Sequence, residues 1–435
     1  MKTILVLGAG RSSSSLITYL LDQAKIFGWN ILVGDASPTI AKEKIQNHPN
    51  GHAIAFNIED ESASGVIQSA DCVISLLPAM LHPIVAINCL KYNKHLLTAS
   101  YVSDEMKALD AEARHKGLIF LNECGLDPGI DHMTAMQVID KIRSEDGKIT
   151  GFESFTGGLI ARDTDPENPW RYKFTWNPRN VVMAGQGTAK FLLNGKYKYI
   201  PYQQLFKRTT PVHVPGYGDY EGYANRDSLK YIDTYKLHGV RTMLRGTLRN
   251  RGYCSAWNVF VQLGCCDDSY QMDGVSAMTH ADFINSFLPA DDSIAVKTKL
   301  QQHPLMNLTG NELDLLEWSG MFADERVGLN AGTPAQILEH ILNKKWKLSP
   351  NDKDQIVMWH RFAYEQDGKE KELQAWLVAT GTDSIYTAMA KTVGLPLAIA
   401  AKLVMQEKIK ARGVLVPISK EIYEPILSEL AQFGI

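Results

Sequence analysis

A chain of 435 residues, 45% apolar and 21% charged, is long enough for two or three domains and a sizeable core. Its 45 Lys and Arg against 48 Asp and Glu leave a net charge of −3. That balance excludes both the apolar-poor composition of a disordered chain and the basic excess of a nonspecific nucleic-acid binder. Apolar runs are broken before the roughly 20 residues needed to cross a bilayer, and Gly8 follows Met1 too closely for the apolar core of a signal peptide. The expectation is a cytoplasmic protein with neither a membrane nor a nucleic-acid partner. The six cysteines (Cys72, Cys89, Cys124, Cys254, Cys265, Cys266) contain no CxxC pair and are expected to be reduced thiols.

In chain order, Ile4 to Leu7, Ile31 to Val33, Ala53 to Phe56 and Val73 to Leu77 are continuous apolar runs of the kind that parallel strands bury on both faces. Helical spacing lies between them, as at Leu16 to Ile26 and Ile84 to Leu90, and two more runs follow at Leu96-Leu97 and Leu118 to Leu121. This alternation predicts six β units of a doubly wound α/β sheet. Beyond Gly147 the chain turns aromatic and rich in Gly and Pro, as at Phe152 to Gly158 and Pro166 to Pro178, and a second domain on antiparallel sheet is expected. Ala277 to Lys347 reads as helical. From Thr380 to Ile435 long amphipathic helices return, with Gly394-Leu395-Pro396 expected to separate two of them.

The first run ends in Gly8-Ala9-Gly10-Arg11-Ser12-Ser13 and opens a helix, where a dinucleotide pyrophosphate meets backbone N–H groups and a positive helix end. Two glycines of the usual three are present, and Ser13 supplies a small residue at the third position. The second run ends in Asp35, placed to accept hydrogen bonds from ribose hydroxyls and so favouring NAD. The alternative is a cap on the helix near Ser37-Pro38. Leu76 and Leu77 end the fourth run near the expected nicotinamide, His82 is left without a role, and Ser100 and Tyr101 follow the fifth run at the ligand-facing edge. Asn122 to His132 then packs turn formers and ionisable groups together. Asp127 is the site candidate there, Asp131 is expected to N-cap the next helix, and His132 has no partner at a metal-like spacing, so no metal is expected. Arg226, Arg245 and Arg249 bring guanidinium forks suited to carboxylates, though composition alone would leave each on the surface.

Together these segments resemble the saccharopine dehydrogenases of the L-glutamate-forming type, also called saccharopine reductases. The likeness rests on Gly8-Ala9-Gly10, Leu77-Pro78 with His82, Ser100 to Ser103, Gly125 to His132, Gly157-Gly158-Leu159 and Tyr172 to Arg179. It continues through Asn225 to Ser228, Arg245 to Arg249, Thr392 to Pro396 and Glu421 to Leu427, nearly the full length. The resemblance implies a Rossmann domain (1–130 and 385–435) rejoined by the C-terminal helices. It further implies a mixed α/β substrate-binding and dimerisation domain (131–275 and 355–384) and a small helical domain (276–354).

The implied reaction interconverts saccharopine with 2-aminoadipate 6-semialdehyde and glutamate in lysine metabolism, by hydride transfer at a C–N bond, in a homodimer. By the resemblance, Ser100, Tyr101, Asp127, Arg226, Arg245 and Thr247 contact the substrate, and Asp127 is the catalytic candidate. The cofactor contacts expected are Gly8, Gly10, Arg11, Ser12, Ser13, Asp35, Ala36, Asn57, Ile58, Leu76, Leu77, Ser100, Leu126, Asp127, Pro128, Gly129 and Trp176. Fungal members commonly carry a basic residue where this chain has Asp35 and use NADP, so NAD is expected here with NADP as the alternative. Two other readings stand beside this one: a carboxynorspermidine dehydrogenase-like imine reductase, and a noncatalytic dinucleotide-binding sensor.

Overall fold

The computed structural model describes residues 1–291, 293–304, 306 and 308–435. Its contacts divide the chain into two units, residues 1–148 with 378–435 and residues 149–377.

In the first unit the expected parallel strands form: β1 (Thr3–Leu7), β2 (Asn30–Asp35), β3 (Gly51–Ala55), β4 (Cys72–Ser75), β5 (His95–Thr98) and β6 (Ile119–Leu121). Ile4 to Leu7, Val73 and Ile74 are wholly buried, as strands covered on both faces require. A seventh strand, Gly413–Leu415, pairs in parallel with β6 after a detour of almost three hundred residues, and completes the order Gly413–Leu415, β6, β5, β4, β1, β2, β3. The sheet therefore has seven strands where six were expected. Its order reverses between β1 and β4, so a crevice opens there at the carboxyl ends of the strands.

Helix α1 (Ser14–Phe27) follows β1, α2 (Pro38–Ile45) follows β2, α3 (Ala63–Gln68) follows β3 and α4 (His82–Tyr92) follows β4. The segment Gly394-Leu395-Pro396 does not separate two helices: one helix, Ala388–Met405, runs through it. Tertiary packing overrides the breakers here. A Cβ on Gly394 would stand 3.0 Å from Leu16 and 3.1 Å from the Ser12 carbonyl, so glycine is what lets this helix lie against α1 and the turn before it. It is also long and apolar enough to cross a membrane, but most of it is buried within the protein.

The second unit is built on an eight-stranded sheet: β7 (Lys148–Ile160), β8 (Ala189–Leu193), β9 (Lys196–Ile200), β10 (Thr209–Val214), β11 (Gly218–Ala224), β12 (Thr242–Asn250), β13 (Asp354–Gln366) and β14 (Lys369–Thr380). It is mixed, because β10, β11 and β12 are antiparallel whereas β7 and β12 are parallel. The helices His280–Asn285, Val296–Gln301, Gly310–Trp318 and Pro334–Trp346 belong to this unit. An aromatic core of Trp170, Tyr172, Phe174, Tyr253, Trp257 and Trp346 joins the last of them to the strand and turn segments.

Candidate functional site

At the carboxyl end of β1 the chain turns through Gly8, at φ 100°, where a Cβ would stand 3.1 Å from the Leu76 carbonyl oxygen. Gly8 is thus needed for the turn to pass the end of β4. Gly10 has a different reason to be small. Its backbone (φ −67°, ψ −170°) suits any residue, and a Cβ there would meet no atom within 4 Å. Nothing in the fold demands glycine at this point, so the open space in front of it fits a pyrophosphate approaching backbone N–H groups at the start of α1. Arg11, Ser12 and Ser13 form one tight 3₁₀ turn, and the buried Ser13 hydroxyl donates to the Gly10 carbonyl at 2.8 Å.

Asp35 ends β2 beside this turn. One carboxylate oxygen accepts the Ala9 N–H at 2.8 Å and the other accepts the Ser37 N–H at 2.9 Å. It therefore ties the glycine turn to the next loop, while the N-cap of α2 is Ser37 itself. An ionised carboxylate has about four acceptor positions, so two remain for ribose hydroxyls. Ala36 is exposed beside it, and Asn57 and Ile58 follow β3 at the same edge, where the Asn57 side chain accepts the Glu59 N–H at 3.2 Å.

Beyond β4 and β5 lies a polar cluster centred on His82, the residue left without a role by its sequence context. Its Nδ1 stands 2.9 Å from Ser75 Oγ, and its Nε2 stands 2.8 Å from Ser100 Oγ and 3.2 Å from Thr98 Oγ1. Burial holds the imidazole neutral, with its pKa lowered to about 4. No regular spacing links these four residues, and only the convergence of two strand ends with the first turn of α4 brings them together. Leu77 packs onto the apolar core below with Leu81 and Val85.

The loop after β6 closes on itself: the Gly125 N–H donates to the Pro128 carbonyl at 2.9 Å, and the Ile130 N–H to the Gly125 carbonyl at 2.8 Å. A Cβ on Gly129 would lie 2.0 Å from that Gly125 oxygen, so the turn admits only glycine. Asp127 accepts from the Tyr101 hydroxyl at 3.3 Å, which brings two expected substrate contacts together. Asp131 is not the N-cap. Gly129 holds that position, and the Asp131 carboxylate reaches back from the first turn of Ile130–Ser144 to accept the Gly129 N–H at 2.6 Å. Under the loop, His132 Nε2 is paired with Glu123 at 2.8 Å, and the other oxygen of Glu123 accepts the Val102 N–H at 3.0 Å. This buried brace fixes the two segments that carry Tyr101 and Asp127.

In the second unit Arg245, Thr247 and Arg249 alternate along β12 and share one face. Arg245 is buried, contrary to the surface position that composition suggests, and its guanidinium lies 4.0 Å from the centre of the Tyr231 ring. Its backbone N–H donates to the Ser228 hydroxyl, and its carbonyl accepts the Asn225 N–H, both at 2.9 Å, so the Asn225 to Ser228 turn that holds Arg226 is tied directly to β12. Arg249 is also buried, among the rings of Tyr172, Tyr223 and Tyr253. Trp176 lies half-buried in the same unit.

A parallel sheet with its order reversal, a glycine turn open to phosphate and a carboxylate at the end of β2 define a dinucleotide-binding protein fold of the Rossmann class. Residues 4–121 match the family model of the saccharopine dehydrogenase NADP binding domain, and residues 125–435 that of the saccharopine dehydrogenase C-terminal domain. The chain belongs to the saccharopine dehydrogenase family. It is 36% identical to the mitochondrial alpha-aminoadipic semialdehyde synthase of Bos taurus, over all of this chain but 47% of that protein, so it spans about half the length of that relative. It is 32% identical to the NADP(+), L-glutamate-forming saccharopine dehydrogenase of Saccharomyces cerevisiae, over all of this chain and 98% of that one. The solved apo structure of the L-Glu-forming saccharopine dehydrogenase from the same yeast superposes with a TM-score of 0.90, covering 100% of this chain and 98% of its own at 30% identity.

Proposed function

We propose that the protein interconverts saccharopine with 2-aminoadipate 6-semialdehyde and glutamate, as a nicotinamide-dependent dehydrogenase of lysine metabolism that works as a homodimer. The observation that carries this reading is the placement of Ser100, Tyr101 and Asp127 at the carboxyl edge of the parallel sheet, on the same edge as the glycine turn. A nicotinamide bound at this edge would accept hydride from the carbon beside the secondary amine of saccharopine, and the amine N–H proton is released to solvent as the C=N bond forms. Asp127 accepts a hydrogen bond from the secondary amine and orients its carbon for transfer, with the Tyr101 hydroxyl fixing the carboxylate. Hydrolysis of the resulting C=N bond releases glutamate and the aldehyde. By the family resemblance, Arg226, Arg245 and Thr247 are the candidates for contacts to the three substrate carboxylates, which suit guanidinium forks.

For the cofactor we propose NAD. Asp35 offers its remaining acceptor positions to a 2′-hydroxyl and would repel a 2′-phosphate, and the nearest following basic side chain is Lys42. The matched domain model and the yeast relative are both named for NADP, so this preference is specific to the chemistry at Asp35. The test is a kinetic one: kcat/KM for saccharopine oxidation with each dinucleotide, with a higher value for NAD expected. Equal or reversed values would remove the ribose role from Asp35.

A further inference from the structure

We propose that His82 is a positioning residue that sets the polarity of the Ser100 hydroxyl, making it an outward hydrogen-bond donor to a carboxylate of the amino-acid substrate. The inference rests on the saccharopine reading above for the identity of that carboxylate, but the relay itself rests on hydrogen-bond accounting.

Four polar groups converge at the ends of β4 and β5, and among the described residues their side chains bond only to one another and to nearby backbone. Ser75 is wholly buried, and its hydroxyl meets only His82 Nδ1. Thr98 is also buried, and its oxygen already accepts the Ser100 N–H at 3.2 Å. The closest contact to His82 Nε2 is Ser100 Oγ, at 2.8 Å.

A neutral imidazole has one donor and one acceptor, so two arrangements compete. With the proton on Nδ1, the ring donates to Ser75 and accepts from Ser100 at the shorter contact. Thr98 cannot take Nε2 in its place, because the Ser100 oxygen would then face the same lone pair at 2.8 Å with no proton between them, so the protons of both Ser75 and Thr98 are buried without an acceptor. With the proton on Nε2, Ser75 donates to Nδ1 and the ring donates to Ser100 Oγ, which leaves only the Thr98 proton unmatched. Each buried unmatched donor costs about 1–3 kcal/mol, so the second arrangement is preferred.

Its consequence falls on Ser100. Once its oxygen accepts from the ring, its own proton has no acceptor within the described protein and points to whatever lies beyond the strand ends. A hydroxyl held in this sense welcomes a carboxylate oxygen and penalises an ammonium group. Burial keeps the imidazole neutral, with no charged neighbour contributing to its low pKa, so the sense does not reverse near neutral pH.

The relay predicts a specific kinetic pattern. His82→Leu raises the saccharopine KM roughly tenfold or more, the cost of one charge-assisted hydrogen bond, while kcat and dinucleotide Kd stay near wild type. His82→Gln, whose amide N–H can replace Nε2–H, recovers most of the loss. Ser100→Ala shows the same KM defect, and the double variant His82→Leu/Ser100→Ala is no worse than Ser100→Ala alone, because His82 acts only through Ser100. An unchanged KM, a defect in dinucleotide Kd instead, or multiplicative losses in the double variant would each overturn the proposal.

The tautomer is read independently from the ring ¹⁵N shifts of the wild-type protein near neutral pH. Nε2 protonated and Nδ1 bare supports the relay, and the reverse ends it whether or not the variants fold. A wild-type protein that leaves saccharopine unoxidised would instead refute the substrate reading, while the ¹⁵N result would still decide the relay.

Discussion

Gly8 and Gly10 stand two residues apart in one turn, and the structure gives them opposite consequences when either becomes alanine. At Gly10 the backbone is ordinary and a new methyl group touches nothing, so folding is spared. Restricting the unfolded chain even adds about 0.4–1 kcal/mol of stability. The methyl group does, however, fill the space through which a pyrophosphate reaches the backbone. Losing a single charge-assisted hydrogen bond there costs about 1.5–3 kcal/mol, roughly 10- to 150-fold in dinucleotide Kd. At Gly8 the φ of 100° and the nearby Leu76 carbonyl make the alanine strained, and about 1–2 kcal/mol or more of stability is lost before any ligand is considered. The assay pairs thermal unfolding with dinucleotide titration by fluorescence. Gly10→Ala should keep or raise Tm and bind the cofactor at least about tenfold more weakly. Wild-type affinity in a folded Gly10→Ala protein would refute the placement of the pyrophosphate at this turn.

Other consequences can be checked with the same protein. Asp35→Ala should erode the preference for NAD over NADP and, because it frees the Ala9 and Ser37 N–H groups, lower Tm as well; an unchanged ratio of kcat/KM values for the two dinucleotides counts against the ribose contact. Asp127→Ala should raise the saccharopine KM or lower turnover by about tenfold or more, the loss of a hydrogen bond to a charged group, and near-normal kinetics would remove it from the site. For His82 the sign follows from its depressed pKa. The unfolded state, near the ordinary value of about 6.5, binds the proton that the folded state refuses, so stability present above that pH is lost as pH falls toward about 4. The contribution at stake is about 3 kcal/mol. Urea unfolding at neutral and acid pH should show a shallower acid loss in His82→Gln than in wild type, and parallel losses would contradict the buried neutral imidazole.

The first sheet was legible because buried parallel strands leave continuous apolar runs, and each of the six expected runs became a strand. The seventh was harder. Val414 and Leu415 lie in an apolar run near the end of the chain, but a run does not name its partner, and here the partner is β6. Gly394 and Pro396 were misleading for the reason that makes them useful: a breaker signal is local, whereas the contact of Gly394 with Leu16 is not. The same distinction applies at the site. Glycines and carboxylates at strand ends follow a known positional rule, which makes Gly8, Gly10 and Asp35 candidates from sequence, and the structure sets them side by side through the Asp35 bond to the Ala9 N–H. Asp131 was assigned to the right turn but the wrong position, since helix ends read from sequence drift by a residue or two. The His82 cluster obeys no spacing at all. Ser75, Thr98 and Ser100 meet the ring only because β4 and β5 are neighbours in register, Ser75 opposite Thr98.

The most direct test of the proposed reaction is the appearance of reduced nicotinamide when the purified protein is mixed with NAD and saccharopine, followed by absorbance. Saccharopine-dependent reduction is predicted, releasing one glutamate per NADH and falling sharply in both Asp127→Ala and Arg245→Ala. Folded protein that binds dinucleotide but produces no NADH or NADPH from saccharopine would contradict it.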